Sequence, residues 1–270
     1  MRGTSQASLT AAEDRLEPVL VEAGTQASVL GEQLFALVDA LDSSGSLRRT
    51  LADPSLEADA KADLVARLLS DADPRVVQAA QGLVRSRWSA DADLTEAVEH
   101  LAMHSVLAAA QADGALERVE EELFRLVRSL AHQREVRRAL FDDLVPAASR
   151  GTLVDDLLAG RAHPSTALLA RRAAVAPRGR RYVATLGHLG DLVAERRQRQ
   201  VATVVSATEL TPPQRDRLAQ LLERAYGRPV QLNVVVDEQV LGGLRVQLGA
   251  KVVDATVLSR LADARRRLAG

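Results

Sequence analysis

The sequence predicts a mainly α-helical protein, made of two helical bundles related by duplication and followed by a small α/β module. Apolar residues recur at spacings of three and four through most of the first 200 residues, as on the buried face of a helix. After Val230 the apolar period changes to two, which is typical of strands. The helical part also repeats itself at an offset of 89 residues. The predicted domains are residues 1–103, 104–200 and 201–270.

Composition limits the possible classes of function. The chain has 270 residues, 47% of them hydrophobic, which is enough for two or three compact domains and argues against disorder. Its formal net charge of −1 gives no overall positive field for nucleic acid or anionic lipid. The absence of cysteine excludes disulfides and thiolate sites. No signal peptide and no apolar run of about 18 residues is seen, so we expect any role at a membrane to depend on partners.

The first bundle is predicted from helical spacing and from helix-start signals. Asp73 before Pro74 is such a signal, because proline is favoured at the first helical position behind a capping side chain. The predicted helical stretches are residues 9–41 with an interruption near 24, 47–51, 64–69, 74–84 and 94–112.

The second bundle is predicted as a copy of the first. Between Glu32–Leu69 and Glu121–Leu158, 15 of 38 positions are identical without a gap. The matched positions include a Phe, an Arg-Arg pair and an Asp, which chance matches between Leu-rich helices rarely reproduce in one register. After a slip of one residue, Pro74 matches Pro164. A period near 90 residues is too long for one solenoid repeat and fits a whole small bundle.

The C-terminal module is predicted to alternate strands and helices. A short β-rich run from Val201 precedes Thr211, which is placed to cap a helix that enters through Pro212 and ends at Gly227. A final helix is predicted from Thr256. Between these helices, alternating apolar residues predict strands at 230–236, 244–248 and 252–253.

Several residues of this module stand in a specific order: Val204–Ala207, Thr211, Val230-x-Leu232, Asp237, Gly242-Gly243, Gly249 and Val252–Asp254. In this order residues 201–268 resemble the C-terminal region of the ATP synthase delta family, which includes the mitochondrial oligomycin-sensitivity-conferring protein. One departure is Ala255-Thr256, where the family commonly has Gly-Ser. The second bundle also opens as the family's N-terminal bundle does, with an Ala-rich helix, Gly114 and a Leu-x-x-Val-x-x-Glu-Leu run from Leu116, so the first bundle is predicted to be the addition. The resemblance gives these family-motif positions: Asp237, Gly242, Gly243, Gly249 and Asp254.

The resemblance implies a structural role in a bacterial rotary, proton-translocating ATP synthase. It implies a peripheral-stalk (stator) subunit without catalytic residues or cofactors, which connects the alpha/beta catalytic head to the b-type stalk and resists rotor torque. The second bundle would hold N-terminal segments of the alpha subunits, and the C-terminal module would hold the end of the stalk helices. The expected location is the cytoplasmic face of the cell membrane, with the membrane reached only through the complex. Candidate gripping residues in the final helix are Val257, Leu258 and Leu261.

Two rival interpretations come from local patterns. Arginine clusters at 171–172, 178–181 and 196–199 suit phosphate and suggest a helical adaptor for nucleic acid or other partners. Apart from Tyr182 they lack interleaved aromatic residues for base stacking. The preferred interpretation is therefore a solvated face or a salt-bridging surface for an acidic partner, and nucleic acid is not the expected partner. His100 and His104 share a helix face at a zinc-binding spacing, but no third ligand is evident, and no metal site is predicted.

Trp88 is the single tryptophan and lies in a helical context. It suits either a core position or an interface anchor, and the sequence favours the core.

Overall fold

The computed structural model describes residues 3–142, 144–198, 201–226, 230–237, 243–248 and 251–254. Its described residues confirm a mainly helical chain with a small α/β module at the C-terminal end. The chain divides into two compact units, residues 1–190 and 191–270, and the division falls inside the helix Tyr182–Gln198. Within the C-terminal unit, Gly242, Gly249, Val257, Leu258, Leu261 and the helix predicted from Thr256 lie outside the described residues.

The first set of helices matches the predicted stretches. Side-chain caps define two of the starts: Ser44 Oγ accepts from the Leu47 amide, and Asp73 accepts from the Arg75 amide with Pro74 at the first position. Gly24–Gln26 forms a 3-10 turn where the interruption was predicted. The helices are α1 Thr4–Ala23, α2 Ala27–Ser43, α3 Gly45–Ala52, α4 Ala58–Leu68, α5 Pro74–Arg85 and α6 Asp91–Ala112.

The second set repeats this order. His163 caps α10 by accepting from the Ser165 amide, with Pro164 at the first position, as Asp73 and Pro74 do for α5. The helices are α7 Leu116–Ser129, α8 Arg134–Ala139, α9 Ala147–Leu158, α10 Pro164–Val175 and α11 Tyr182–Gln198.

Helix boundaries follow the offset found in the sequence. The starts of α2 and α7, of α3 and α8, and of α4 and α9 are each 89 residues apart, and the starts of α5 and α10 are 90 apart. The ends of α1 and α6, at Ala23 and Ala112, are also 89 residues apart. By this offset α6 corresponds to α1, so α6 is both the last helix of the first set and the first helix of the second set. This spacing equals the sequence offset from which the duplication was predicted, and the predicted boundary between residues 103 and 104 lies within the uninterrupted α6.

Helix α6 is enclosed by its neighbours. Every residue from Leu101 to Ala110 is buried, which is expected only of a helix that is covered on all sides. The long helix α2 packs along it, and Gly31 of α2 permits a close approach to Ala102 and Val106. Helices α1, α3, α5, α7 and α10 also contact α6.

The C-terminal unit contains a four-stranded mixed sheet in the order β2-β1-β3-β4. Strand β1 is parallel to β2 and antiparallel to β3, so α12 is the crossover that parallel neighbours require. Leu218 and Leu222 of α12 pack against a core that contains Val204 and Val246. The elements are β1 Val201–Ser206, α12 Pro212–Tyr226, β2 Gln231–Val236, β3 Leu244–Leu248 and β4 Lys251–Asp254.

Candidate partner-binding surfaces

The C-terminal unit contains an open groove. Its volume is about 510 Å³, and it lies between α12 and the ends of β1 and β3. Leu218 packs towards the sheet, whereas Leu221, three residues further along α12, is 54% exposed. An apolar side chain left outside a filled core is a candidate contact for a partner. The lining residues are Ser206, Ala207, Thr208, Leu210, Gln214, Arg217, Leu218, Leu221, Gly243 and Leu244.

Three family-motif residues lie at this end of the sheet. The amide of Asp237, directly after β2, donates to the Ser206 carbonyl oxygen at 2.9 Å. Gly243, directly before β3, has a φ of 85° and lines the groove. That backbone conformation favours glycine, which explains why glycine occupies this family-motif position. Asp254 ends β4 at the register position opposite Arg245, at the same end of the sheet.

Helix α12 begins where the sequence predicts. The Arg215 amide donates to the Thr211 carbonyl oxygen at 3.0 Å, and the Thr211 amide donates to Gln214 Oε1 at 2.9 Å. The second bond is the return half of a capping box. It fixes the first turn of α12, which carries Gln214 beside the groove.

The second helical set exposes large apolar side chains that the sequence analysis did not single out. Phe124 on α7 is 63% exposed, and Leu144, after α8, is 90% exposed. Phe141 is also exposed. Phe35, the repeat equivalent of Phe124, is buried instead, with the Arg172 guanidinium 4.8 Å from its ring centroid. The position that corresponds to Phe124 by the 89-residue offset is therefore covered in the first set, whereas Phe124 itself is exposed.

A second groove, of about 370 Å³, lies in the first helical set between α1 and α5. Its floor is apolar, from Ala12, Leu16 and Leu101, and its rim carries arginines. Arg75 and Arg85 are paired with Asp73 and Asp59. These pairs neutralise two of the arginines beside an otherwise apolar floor.

The arginine clusters form ion pairs within the chain. Arg178 and Arg180 both contact the Glu99 carboxylate, which is only 4% exposed. Arg172 makes two hydrogen bonds to Asp39, at 2.7 and 2.8 Å. Arg171 and Asp155 also form an ion pair. Further along, Arg196 is buried. The guanidinium groups of Arg172, Arg178 and Arg180 are thus engaged in ion pairs with carboxylates of the first helical set.

The structure also shows the surroundings of Trp88 and of the histidine pair His100 and His104. Trp88 is buried, and its indole N–H donates to the Leu83 carbonyl oxygen at 2.9 Å, which places it in the core. His100 and His104 have ring centroids 4.4 Å apart, and the Glu13 carboxylate of α1 lies beside them.

Among the described residues, no helix is long and apolar enough to cross a bilayer.

The sequence profile described as "ATP synthase delta (OSCP) subunit" matches residues 103–268. The chain belongs to the ATP synthase delta (OSCP) family. The matched region starts one residue before the predicted second bundle. As a member of this family, the chain is a structural, non-catalytic subunit of the ATP synthase peripheral stalk. It is a peripheral component of that membrane-bound complex.

Relatives named "ATP synthase subunit delta" align with this family member along its whole length. The one from Beutenbergia cavernae is 56% identical over 100% of both chains. Those from Kineococcus radiotolerans and Streptomyces griseus are 45% and 42% identical, and each alignment covers 98% or more of both chains. Residues before 103 are therefore shared with these relatives. A chain of the Toxoplasma gondii mitochondrial ATP synthase hexamer is 16% identical with a TM-score of 0.32, a likeness too low to support a structural argument.

Proposed function

We propose that this delta-family chain joins the catalytic head to the stalk through two separate surfaces. The C-terminal module binds the end of b-type stalk helices, and the second bundle, residues 104–200, binds N-terminal segments of the alpha subunits. The first bundle, residues 1–103, is the added copy. In this arrangement the chain works at the cytoplasmic face of the cell membrane and reaches the membrane only through the complex.

The apolar groove beside α12 is the observation that carries the stalk contact. Leu210, Leu218, Leu221 and Leu244 give it apolar walls, while Gln214 and Arg217 supply polar edges. An amphipathic helix binds such a groove by placing anchors at i, i+3, i+4 and i+7. The free energy comes mainly from apolar burial, so the complex is expected to resist high salt. Slow dissociation under torque is what a stator attachment requires.

The head contact is supported by the exposed side chains of the second bundle. Phe124, Phe141 and Leu144 present apolar area that the described fold does not cover. Aromatic side chains are frequent anchors of protein interfaces, because they bury a large area at a small cost in side-chain entropy. We therefore assign these three residues as candidate contacts for an alpha-subunit segment.

A pull-down from cell membranes tests the stalk contact. We expect the tagged wild-type chain, washed at high salt, to recover alpha, beta and b-type subunits identified by mass spectrometry. Leu221→Asp should lose the b-type subunits, because a carboxylate in the groove must be desolvated on binding. Gln220→Asp is the matched control, since it adds the same charge at the neighbouring exposed position of α12.

Three outcomes separate the possibilities. Loss with Leu221→Asp but not with Gln220→Asp supports the groove as the stalk site. Retention of b-type subunits by Leu221→Asp would contradict the groove assignment. Recovery of nucleic acid without synthase subunits would favour the helical-adaptor alternative, which the internal pairing of the arginines disfavours.

A further inference from the structure

Three potential metal ligands meet between α1 and α6. Glu13 of α1 and the two histidines of α6, His100 and His104, place one donor atom each within 4.8 Å of the others. His100 Nε2 lies 2.5 Å from Glu13 Oε1. His104 is buried, whereas Glu13 and His100 are half-buried, with 17% exposed side chains. The cluster therefore has one closed side and one side open to solvent.

The donor set suits a borderline metal ion. Two imidazole nitrogens and one carboxylate oxygen are the ligands of many zinc sites with three protein ligands, in which water completes a tetrahedron. Hard ions such as Mg²⁺ prefer all-oxygen sites and an octahedral shell. Ligands of a tetrahedral zinc ion are about 3.4 Å apart, given bond lengths near 2.0–2.2 Å. The present donor atoms lie within 4.8 Å of one another, a separation comparable to that spacing.

Helix geometry supplies two of the ligands in advance. His100 and His104 are four residues apart, so their side chains stand on one face of α6, with ring centroids 4.4 Å apart and the planes tilted by 39°. Glu13 is 87 residues away along the chain and is brought in by the packing of α1 against α6.

We propose that Glu13, His100 and His104 form a binding site for one Zn²⁺ ion. The bound ion joins the first helix of the chain to α6, the helix common to both bundles. Binding to the folded chain stabilises it by mass action, because the unfolded chain does not hold these three groups together. This site is independent of the head and stalk contacts proposed above.

Equilibrium dialysis of the untagged, metal-stripped full chain against Zn²⁺ tests the site, with bound metal measured by elemental analysis. We expect one Zn²⁺ per chain and a thermal unfolding midpoint that rises with Zn²⁺ but not with Mg²⁺. Glu13→Gln and His100→Gln should each weaken Zn²⁺ binding at least about tenfold. Replacing even a residue that only hydrogen-bonds to a metal ligand commonly lowers metal affinity 10–100-fold. Both variants should also lose the zinc-dependent rise of the midpoint.

His132→Gln is the matched control, because His132 is exposed and lies outside the cluster. It should bind Zn²⁺ like the wild type. His104→Gln changes a buried residue, so its fold is checked by circular dichroism without metal, and the two half-buried variants decide the outcome if it does not fold. Less than one Zn²⁺ per wild-type chain, or wild-type affinity in Glu13→Gln and His100→Gln, would overturn the proposal.

Discussion

At the scale of single residues, Glu99 is the acid on which the arginine cluster depends. Its carboxylate is buried and contacts both Arg178 and Arg180, which belong to the connection between α10 and α11. Arg178 also pairs with Asp42 of α2 at 2.7 Å. One carboxylate therefore helps to hold the second set of helices against the first.

Replacing Glu99 by Gln should lower the free energy of unfolding by about 3 kcal/mol, because Arg178 and Arg180 would each lose an ion pair with a buried carboxylate. Urea denaturation of the purified chain measures the change. Glu96→Gln is the control, since Glu96 is exposed on the same helix, and it should change the stability by less than about 0.5 kcal/mol. Equal effects of the two substitutions would show that the buried cluster contributes no special stability.

Glu122 links α7 to the start of α10. Burial acts to raise the pKa of this carboxyl, but hydrogen bonds from Thr166, Arg118 and the His163 amide outweigh burial and lower it. A carboxyl whose pKa is lower in the folded state stabilises the fold above its unfolded pKa of about 4.3, and this contribution is lost as pH falls through the folded pKa.

Glu122→Gln should therefore destabilise the chain by about 1.5–3 kcal/mol at pH 7, the range for hydrogen bonds to a charged group. The difference from the wild type should shrink below about pH 4. Thermal unfolding across this pH range is the measurement. Glu121→Gln, at a 61% exposed position paired with Arg125, should have little effect at any pH. A difference that stays constant down to the acid range would contradict the assigned pKa shift.

At the scale of secondary structure, the contact between α2 and α6 depends on a glycine. A Cβ added at Gly31 would lie 2.7 Å from Val106 Cγ2 and 2.9 Å from the Ala102 carbonyl oxygen. Both distances are shorter than van der Waals contact, and one of the atoms belongs to the backbone. The two helices would have to separate.

Gly31→Ala should destabilise the chain by about 1–3 kcal/mol, although alanine is normally the better helix former. Gly187→Ala in α11 is the matched control, because a Cβ there meets nothing within 4 Å. That substitution should be neutral or stabilise by up to about 1 kcal/mol. Chemical denaturation of both variants measures the change in the free energy of unfolding that each substitution causes. A stabilising Gly31→Ala would show that α2 and α6 are not closely packed there.

Local signals allowed much of the fold to be predicted. The start of α5 at Asp73-Pro74 and the turn at Gly24 depend on neighbouring residues, so the sequence alone predicts them, and the structure confirms both. The period of two after Val230 likewise predicted β2. These features need no information about distant parts of the chain.

Features that depend on distant residues were missed. Glu13 was not paired with His100, because α1 and α6 are separated by most of the first bundle in sequence. The arginine-rich stretches predicted a charged surface, but their partners Asp39 and Glu99 lie on α2 and α6, outside the local pattern. Exposure of Phe124 was also not predicted, because its equivalent Phe35 fits the same helical pattern and is buried.

At the scale of the whole molecule, a helix common to two bundles should couple their unfolding. Helix α6 supplies core residues to both sets, so neither set keeps its core when the other opens. Residues 1–190 also form one compact unit. We therefore expect this unit to unfold as a single cooperative transition.

The single tryptophan makes this testable. Trp88 is buried in the first set, so its fluorescence reports on that set, whereas circular dichroism reports on all helices. In urea, the fluorescence midpoint should coincide with the midpoint of the main circular dichroism transition. A fluorescence transition clearly separated from it would show that the bundles unfold independently. The far smaller helical signal of α12 allows a minor separate phase for the C-terminal unit.

The continuity of α6 also restricts how the length of the chain can change in evolution. Each residue added to an α-helix rotates the following part by about 100° and advances it by about 1.5 Å. One insertion among residues 101–110 would turn every later helix of the unit relative to the earlier ones, and both sets of core contacts would lose their register. The same insertion between α3 and α4 would be absorbed by the connection. Natural insertions and deletions should therefore fall in the connections and leave the enclosed part of α6 at constant length.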